Sequence, residues 1–138
     1  VYLNEEFRPH AERAAMDGQP VGVVMLRVNE YWQLREHESS TAADCCLNMA
    51  AGILQLAVGP DCEKAALARL NDGFFAVVTL GTPAAKMAKV VREAMNDSRR
   101  EFNISLSRRG SFTVAIASAE WGETASWDMM LSLAQQRL

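Results

Sequence analysis

Residues 65 to 80 constrain the fold of this chain more than any other stretch, because two apolar runs, Ala65 to Leu70 and Phe74 to Leu80, meet at Asn71-Asp72-Gly73. Asn and Asp tolerate left-handed backbone angles and Gly adopts them freely, so the chain is expected to reverse there in a tight hairpin. Strands this apolar are half or fully buried. They call for a sheet with helices packed on it.

The rest of the chain supplies those helices. Asn4 to Asp17 reads as a helix with Phe7, Ala11, Ala14 and Ala15 on one side, stopped by Gly18. Val21 to Val28 is a continuous apolar run, interrupted by Arg27, which suits a central strand buried on both faces. A short helical piece, Glu30 to His37, precedes a polar break at Glu38-Ser39-Ser40. A longer helix follows, with Thr41 and Asp44 in capping-box spacing and Cys46, Ala50, Ile53, Leu54 and Ala57 as its apolar stripe, until Gly59-Pro60 ends it. Thr82-Pro83 is expected to cap and open a helix with Ala84, Met87, Ala88, Val91, Ala94 and Met95 inward. Phe102 to Leu106 and Phe112 to Ala119 read as a second strand pair, and a last helix begins near Thr124 to Ser126 with Met130, Leu133 and Ala134 inward. The expected fold is α/β, an α+β sandwich: a mostly antiparallel five-stranded sheet with a βαββαβ kernel of ferredoxin-like or nucleotide-cyclase type, flanked by helices.

At 138 residues and 49% hydrophobic content, the chain fits one domain with a real core. Its last helix is still running at Leu138, so the expectation is a single domain excised from a longer multidomain chain. A formal net charge of -3 argues against a nucleic-acid surface, and the pairs Arg99-Arg100 and Arg108-Arg109 read as solvated strand ends. The three cysteines, Cys45, Cys46 and Cys62, have no metal-ligand spacing and point to a reducing, cytoplasmic setting, with Cys45 and Cys46 as small core-lining residues. No apolar run reaches the roughly 18 residues needed to span a bilayer, so no membrane contact is expected from this segment. His10 and His37 read as surface residues on polar helical stretches. No serine has a nucleophile-elbow context.

With its elements in this order, the chain resembles the GGDEF domains, the bacterial diguanylate cyclase family that joins two GTP molecules into cyclic di-GMP. The family hairpin, Arg-x-Gly-Gly-Asp-Glu-Phe-Ala-Val, lines up without gaps on Arg69-Leu70-Asn71-Asp72-Gly73-Phe74-Phe75-Ala76-Val77. Its Leu-Asp-x-Asp-x-Phe-Lys segment falls on Leu26 to Trp32, its late strand on Phe112 to Ala119, and its closing-helix motif near Leu133 to Leu138. The resemblance implies that an Asp ending the first strand and the third, acidic residue of the signature hold divalent metals. Here those positions carry Arg27 and Gly73. A guanidinium cannot ligate Mg²⁺, and glycine has no side-chain ligand to give. Phe74 replaces the fourth, acidic residue, and Asn71 and Asp72 replace the two glycines that admit the nucleotide. Trp32 stands where a phosphate-contacting Lys is usual, and Arg35 replaces the Asn that contacts guanine, leaving Asp44 of that pair. The product-inhibition motif, Arg-x-x-Asp, would fall on Cys62-Glu63-Lys64-Ala65, where neither ion is present.

The resemblance therefore implies a degenerate, catalytically inactive regulatory or interaction domain in cyclic di-GMP signalling, with no catalytic residues and no bound metal. It acts through contacts with a neighbouring EAL or other signalling domain, or through homodimerisation. The Ala68-Arg69-Leu70-Asn71 hairpin and the Arg at the metal position are similar to receptors of the LapD type, GGDEF-EAL tandems. Trp32, Trp121 and Trp127 are docking anchors if exposed and core or rim aromatics if not. The alternative is an allosteric sensor that binds GTP without turning it over, in a vestigial pocket of Arg27, Arg35, Asp44, Asn71 and Asp72. In that pocket Arg27 either meets phosphate or forms a structural ion pair with Asp72.

Overall fold

The computed structural model describes residues 8–29, 31, 35–36, 40–58, 65–70, 73–98, 114–123 and 126–138. Their elements run α1 (Arg8–Met16), β1 (Val21–Val28), α2 (Ser40–Val58), β2 (Ala65–Arg69), β3 (Phe74–Leu80), α3 (Ala84–Asp97), β4 (Val114–Glu120), a 3₁₀ turn (Trp121–Glu123) and α4 (Trp127–Arg137). The four strands form one sheet in the order β2-β3-β1-β4. Each neighbouring pair is antiparallel. The sheet has four strands among the described residues rather than the five expected, because Phe102 to Leu106 lies outside them.

Period-two alternation of the strands sorts the core into two layers. Val24, Leu26, Val28, Phe75 and Val77 point to one side, where they meet Cys46, Leu47, Ala50 and Leu54 of α2 and Met87 and Val91 of α3. Val21, Val23, Met25, Ala76 and Val78 point to the other, towards Ala11 and Ala14 of α1 and Trp127, Met130 and Ala134 of α4. The sheet thus has helices on both faces, and β1 is buried as its unbroken apolar run requires. Of the vicinal cysteines only Cys46 lines the core; Cys45 is exposed rather than core-lining as expected, because adjacent side chains on a helix diverge.

Three local expectations give way to tertiary contacts. Thr41 lies inside α2, which is already helical at Ser40, so it is not the cap, and the Asp44 carboxylate turns to Arg69 instead. Thr82 does not cap α3. Pro83 holds the cap position without a side-chain bond, and the Ala84 amide donates to Glu120 Oε1 at 2.7 Å, a carboxylate from the end of β4. Trp127 is 1% exposed and belongs to the core, and Trp121 is partly buried against the same cluster, so neither is a free docking anchor; Trp32 lies outside the described residues. At α4 the sequence reading holds, with Ser126 as N-cap accepting from the Met129 amide at 3.2 Å.

The start of α3 is seated on β1 at Gly22. A β-carbon there would lie 2.6 Å from Ala84 Cβ and 3.0 Å from its Cα. Buried Thr79, directly across the ladder from Gly22, donates its hydroxyl to the Thr82 carbonyl at 3.0 Å, and Glu120 is the partner of Gly22 on the other side. Because the obstructing atoms belong to backbone and a Cβ, no rotamer change relieves them. Gly22→Ala should cost about 2 kcal/mol, read as a lower urea midpoint at unchanged denaturant slope.

Candidate functional site

The signature positions gather at one end of the β1–β3 ladder. Arg27, half-buried, is the ladder partner of Phe74 on β3 and of Ala115 on β4. Gly73 immediately precedes Phe74, so the residues standing at the two metal positions are neighbours, as the gapless alignment requires. The Leu70 amide donates to the Phe74 carbonyl at 2.8 Å, joining the end of β2 to the start of β3. Asn71 and Asp72 lie outside the described residues, and so does the expected ion pair of Arg27 with Asp72. Arg27 Nε donates to Asn29 Oδ1 at 3.1 Å, two residues along its own chain.

Gly73 has φ +83°, in the left-handed region, and it lies directly against Tyr31. A β-carbon at position 73 would come within 2.8 Å of Tyr31 Cβ and 2.9 Å of its Cγ. Tyr31 is buried in the core layer under α2, and its hydroxyl accepts from Arg35 Nη1 at 3.4 Å. Arg35 is thereby brought to the same end of the sheet as the signature. The base of the Tyr31 side chain occupies the approach from which a side chain at position 73 would emerge.

Asp44 is placed elsewhere in this network. It stands one helical turn before Asn48 on the exposed side of α2, and both are reached by Arg69 from the end of β2. Arg69 Nη2 is 3.5 Å from Asp44 Oδ1, and Nη1 donates to Asn48 Oδ1 at 3.4 Å. Of the vestigial-pocket residues read from the sequence, Arg27 and Arg35 keep local partners, while Asp44 is held by a residue not counted among them. Asn48 and Arg69 were missed as site residues. The available signal was the helical spacing of Asp44 and Asn48, which puts two acceptors on one face.

Comparison with known proteins places this geometry in a family. A model described as "Diguanylate cyclase, GGDEF domain" matches residues 1–138. Among solved structures, the active GGEEF domain of a diguanylate cyclase from Vibrio cholerae superposes with a TM-score of 0.78 at 12% identity, over 95% of this chain and 81% of that one. The FimX GGDEF domain from Pseudomonas aeruginosa gives 0.74 at 22% identity, over 93% and 78%. The GGDEF domain of DgcB from Caulobacter crescentus, solved in complex with c-di-GMP, gives 0.73 at 17% identity, over 93% and 77%. At these identities the likeness shows the fold alone. Among curated proteins, no sequence matches the chain. With the family model matched along its entire length, the chain belongs to the GGDEF domain family.

Proposed function

We propose that this domain is a catalytically silent GGDEF module that regulates cyclic di-GMP signalling through contacts with a neighbouring domain, such as an EAL domain, or with a second copy. The observation that carries the reading is that Arg27 stands opposite Phe74, the residue after Gly73, at the end of the β1–β3 ladder, so a cation and a residue without a side chain occupy the two metal positions. Metal-assisted phosphoryl transfer needs hard oxygen ligands at the triphosphate. The residues present do not fit a divalent cation, since Arg27 brings like charge and Gly73 brings no donor.

The contact role draws on the surface. With Trp127 buried, the large apolar side chains exposed among the described residues are Met16 on α1, Leu56 on α2, Leu70 just after β2 and Met129 on α4, and these join Trp32 as candidate contact points. No helix among the described residues is long and apolar enough to cross a membrane.

Incubation of the purified domain with GTP and Mn²⁺ should yield no cyclic di-GMP by mass spectrometry above a protein-free control. Product that forms with the wild-type chain and disappears in Asp44→Ala would overturn the reading. In the alternative, a GTP sensor without turnover, calorimetry would give saturable GTP heat that is lost in Asp44→Ala while product stays absent.

A further inference from the structure

We propose that the outer edge of β2, with the flank of α2 beside it, docks a second copy of this chain about a two-fold axis, so that one sheet runs through both domains. The inference deepens the contact role proposed above and rests on it. β2 ends the strand order, and among the described residues no strand pairs with its outer side. Because the Leu70 amide bonds to Phe74, alternation along the ladder turns the backbone groups of Ala66 and Ala68 to β3 and those of Ala65, Leu67 and Arg69 outward. From Ala65 to Ala68 the strand has no charge and no proline, and no bulge interrupts its register. Those are the devices that ordinarily keep a sheet edge from pairing.

The flank of α2 points to the occupant. Asp44 is the single charge in its 19 residues, and Arg69 lies 3.5 Å from it, so a second copy meets no uncompensated charge there although the chain is acidic overall. Arg69 also bonds to Asn48, which shows that this flank faces the end of β2. Gly52 follows Asn48 by one turn, and a β-carbon there would meet nothing within 4 Å. Packing among the described residues therefore gives no reason for a glycine that weakens the helix, whereas close approach of a second helix does. α2 runs opposite to β2, since its first turns lie beside the end of the strand. Stepping back from Arg69 to Leu67 covers about 6.6 Å, or about four helical residues onward from Asp44 and Asn48, which reaches the turn of Gly52. A two-fold axis at Leu67, the middle of β2, thus pairs Leu67 with its own copy and Ala65 with Arg69, and brings the two α2 helices closest at Gly52. Strand edge and helix flank, about 16 and 28 Å long, bury on the order of 1,000 Å² between the copies. That is the size of a reversible contact.

Sedimentation equilibrium of the wild-type chain should give a mass that rises from 15.2 kDa towards twice that value as the concentration approaches about 1 mM. Gly52→Lys sets two cations together at the axis and should weaken association at least about tenfold, while the open space around position 52 leaves the monomer folded. Ala65→Pro removes an outward N–H at the first strand position without taking a bond from β3, and should weaken association about tenfold. Met16→Lys, on α1 across the sheet, should leave it unchanged. Circular dichroism checks that each variant is folded. A wild-type chain that stays monomeric at about 1 mM overturns the proposal, and so does a dimer that survives either Gly52→Lys or Ala65→Pro, or that Met16→Lys dissolves. Cyclic di-GMP synthesis by the wild-type domain would instead sink the silent-module reading and leave these masses as they are.

Discussion

Trp127→Ala is expected to destabilise the domain by about 3–5 kcal/mol, the cost of deleting a large side chain from a site that cannot collapse around the void. The indole opens α4 and is 1% exposed, in one buried cluster with Ala11 and Ala14 of α1, Val21, Val23 and Met25 of β1, and Ala119 of β4. The surrounding alanines are too short to refill the space, and Ser126 fixes the helix start beside it. For a domain of this size the loss corresponds to a fall on the order of 10 °C in Tm. Far-UV circular dichroism should follow the transition, because the substitution removes a fluorophore. A change below about 1 kcal/mol, within the ordinary range of surface substitutions, would mean that the indole packs weakly and would return Trp127 to the list of contact residues.

Restoring the acidic residue of the signature should harm the domain without reviving it. Gly73→Asp forces an L-residue to φ +83°, which costs about 1–2 kcal/mol, and drives its Cβ to 2.8 Å from Tyr31 Cβ. Overpacking of that kind adds about 1–3 kcal/mol, for a total of about 2–5 kcal/mol by urea unfolding. Trimming the ring with Tyr31→Ala removes the contact to Cγ but keeps the contact to Cβ, so the Gly73→Asp cost in that background should shrink by about 1 kcal/mol rather than vanish. No cyclic di-GMP should appear in either background, because Arg27 still faces the same ladder end. A Gly73→Asp domain as stable as the wild type would show that the hairpin yields easily at this point and that the contact with Tyr31 costs little.

The elements legible in the sequence were those set by local chemistry. Gly73 had to take a left-handed angle in an Asn-Asp-Gly turn, and it does. The inward stripe of α3 is buried at Ala84, Met87, Ala88, Val91 and Met95, with Ala94 half-covered, as its helical spacing requires. The misread features all depend on residues that the fold brings together from far apart in sequence. Thr82 is the natural local cap for α3, but the glycine at position 22 lets the helix start settle so close to the sheet that Glu120 reaches the Ala84 amide first. Asp44 satisfies a capping-box spacing, yet its partner comes from β2 across the helix–sheet interface. For the site, the identities at 27 and 73 were readable from the alignment alone. That Tyr31 closes the space beside Gly73 was not, because no spacing rule relates a turn glycine to an aromatic residue on the far side of a long helix.

The bond from the Ala84 amide to Glu120 also orders events in assembly. A cap supplied by a neighbouring residue forms as soon as its helix does, but this one waits for β4 to arrive beside β1. Until then the first turn of α3 has one amide facing water rather than a carboxylate, and the helix start frays more readily. Once β4 docks, strand edge and helix end open and close together, so whatever pulls on β4 in a longer chain is felt at the start of α3.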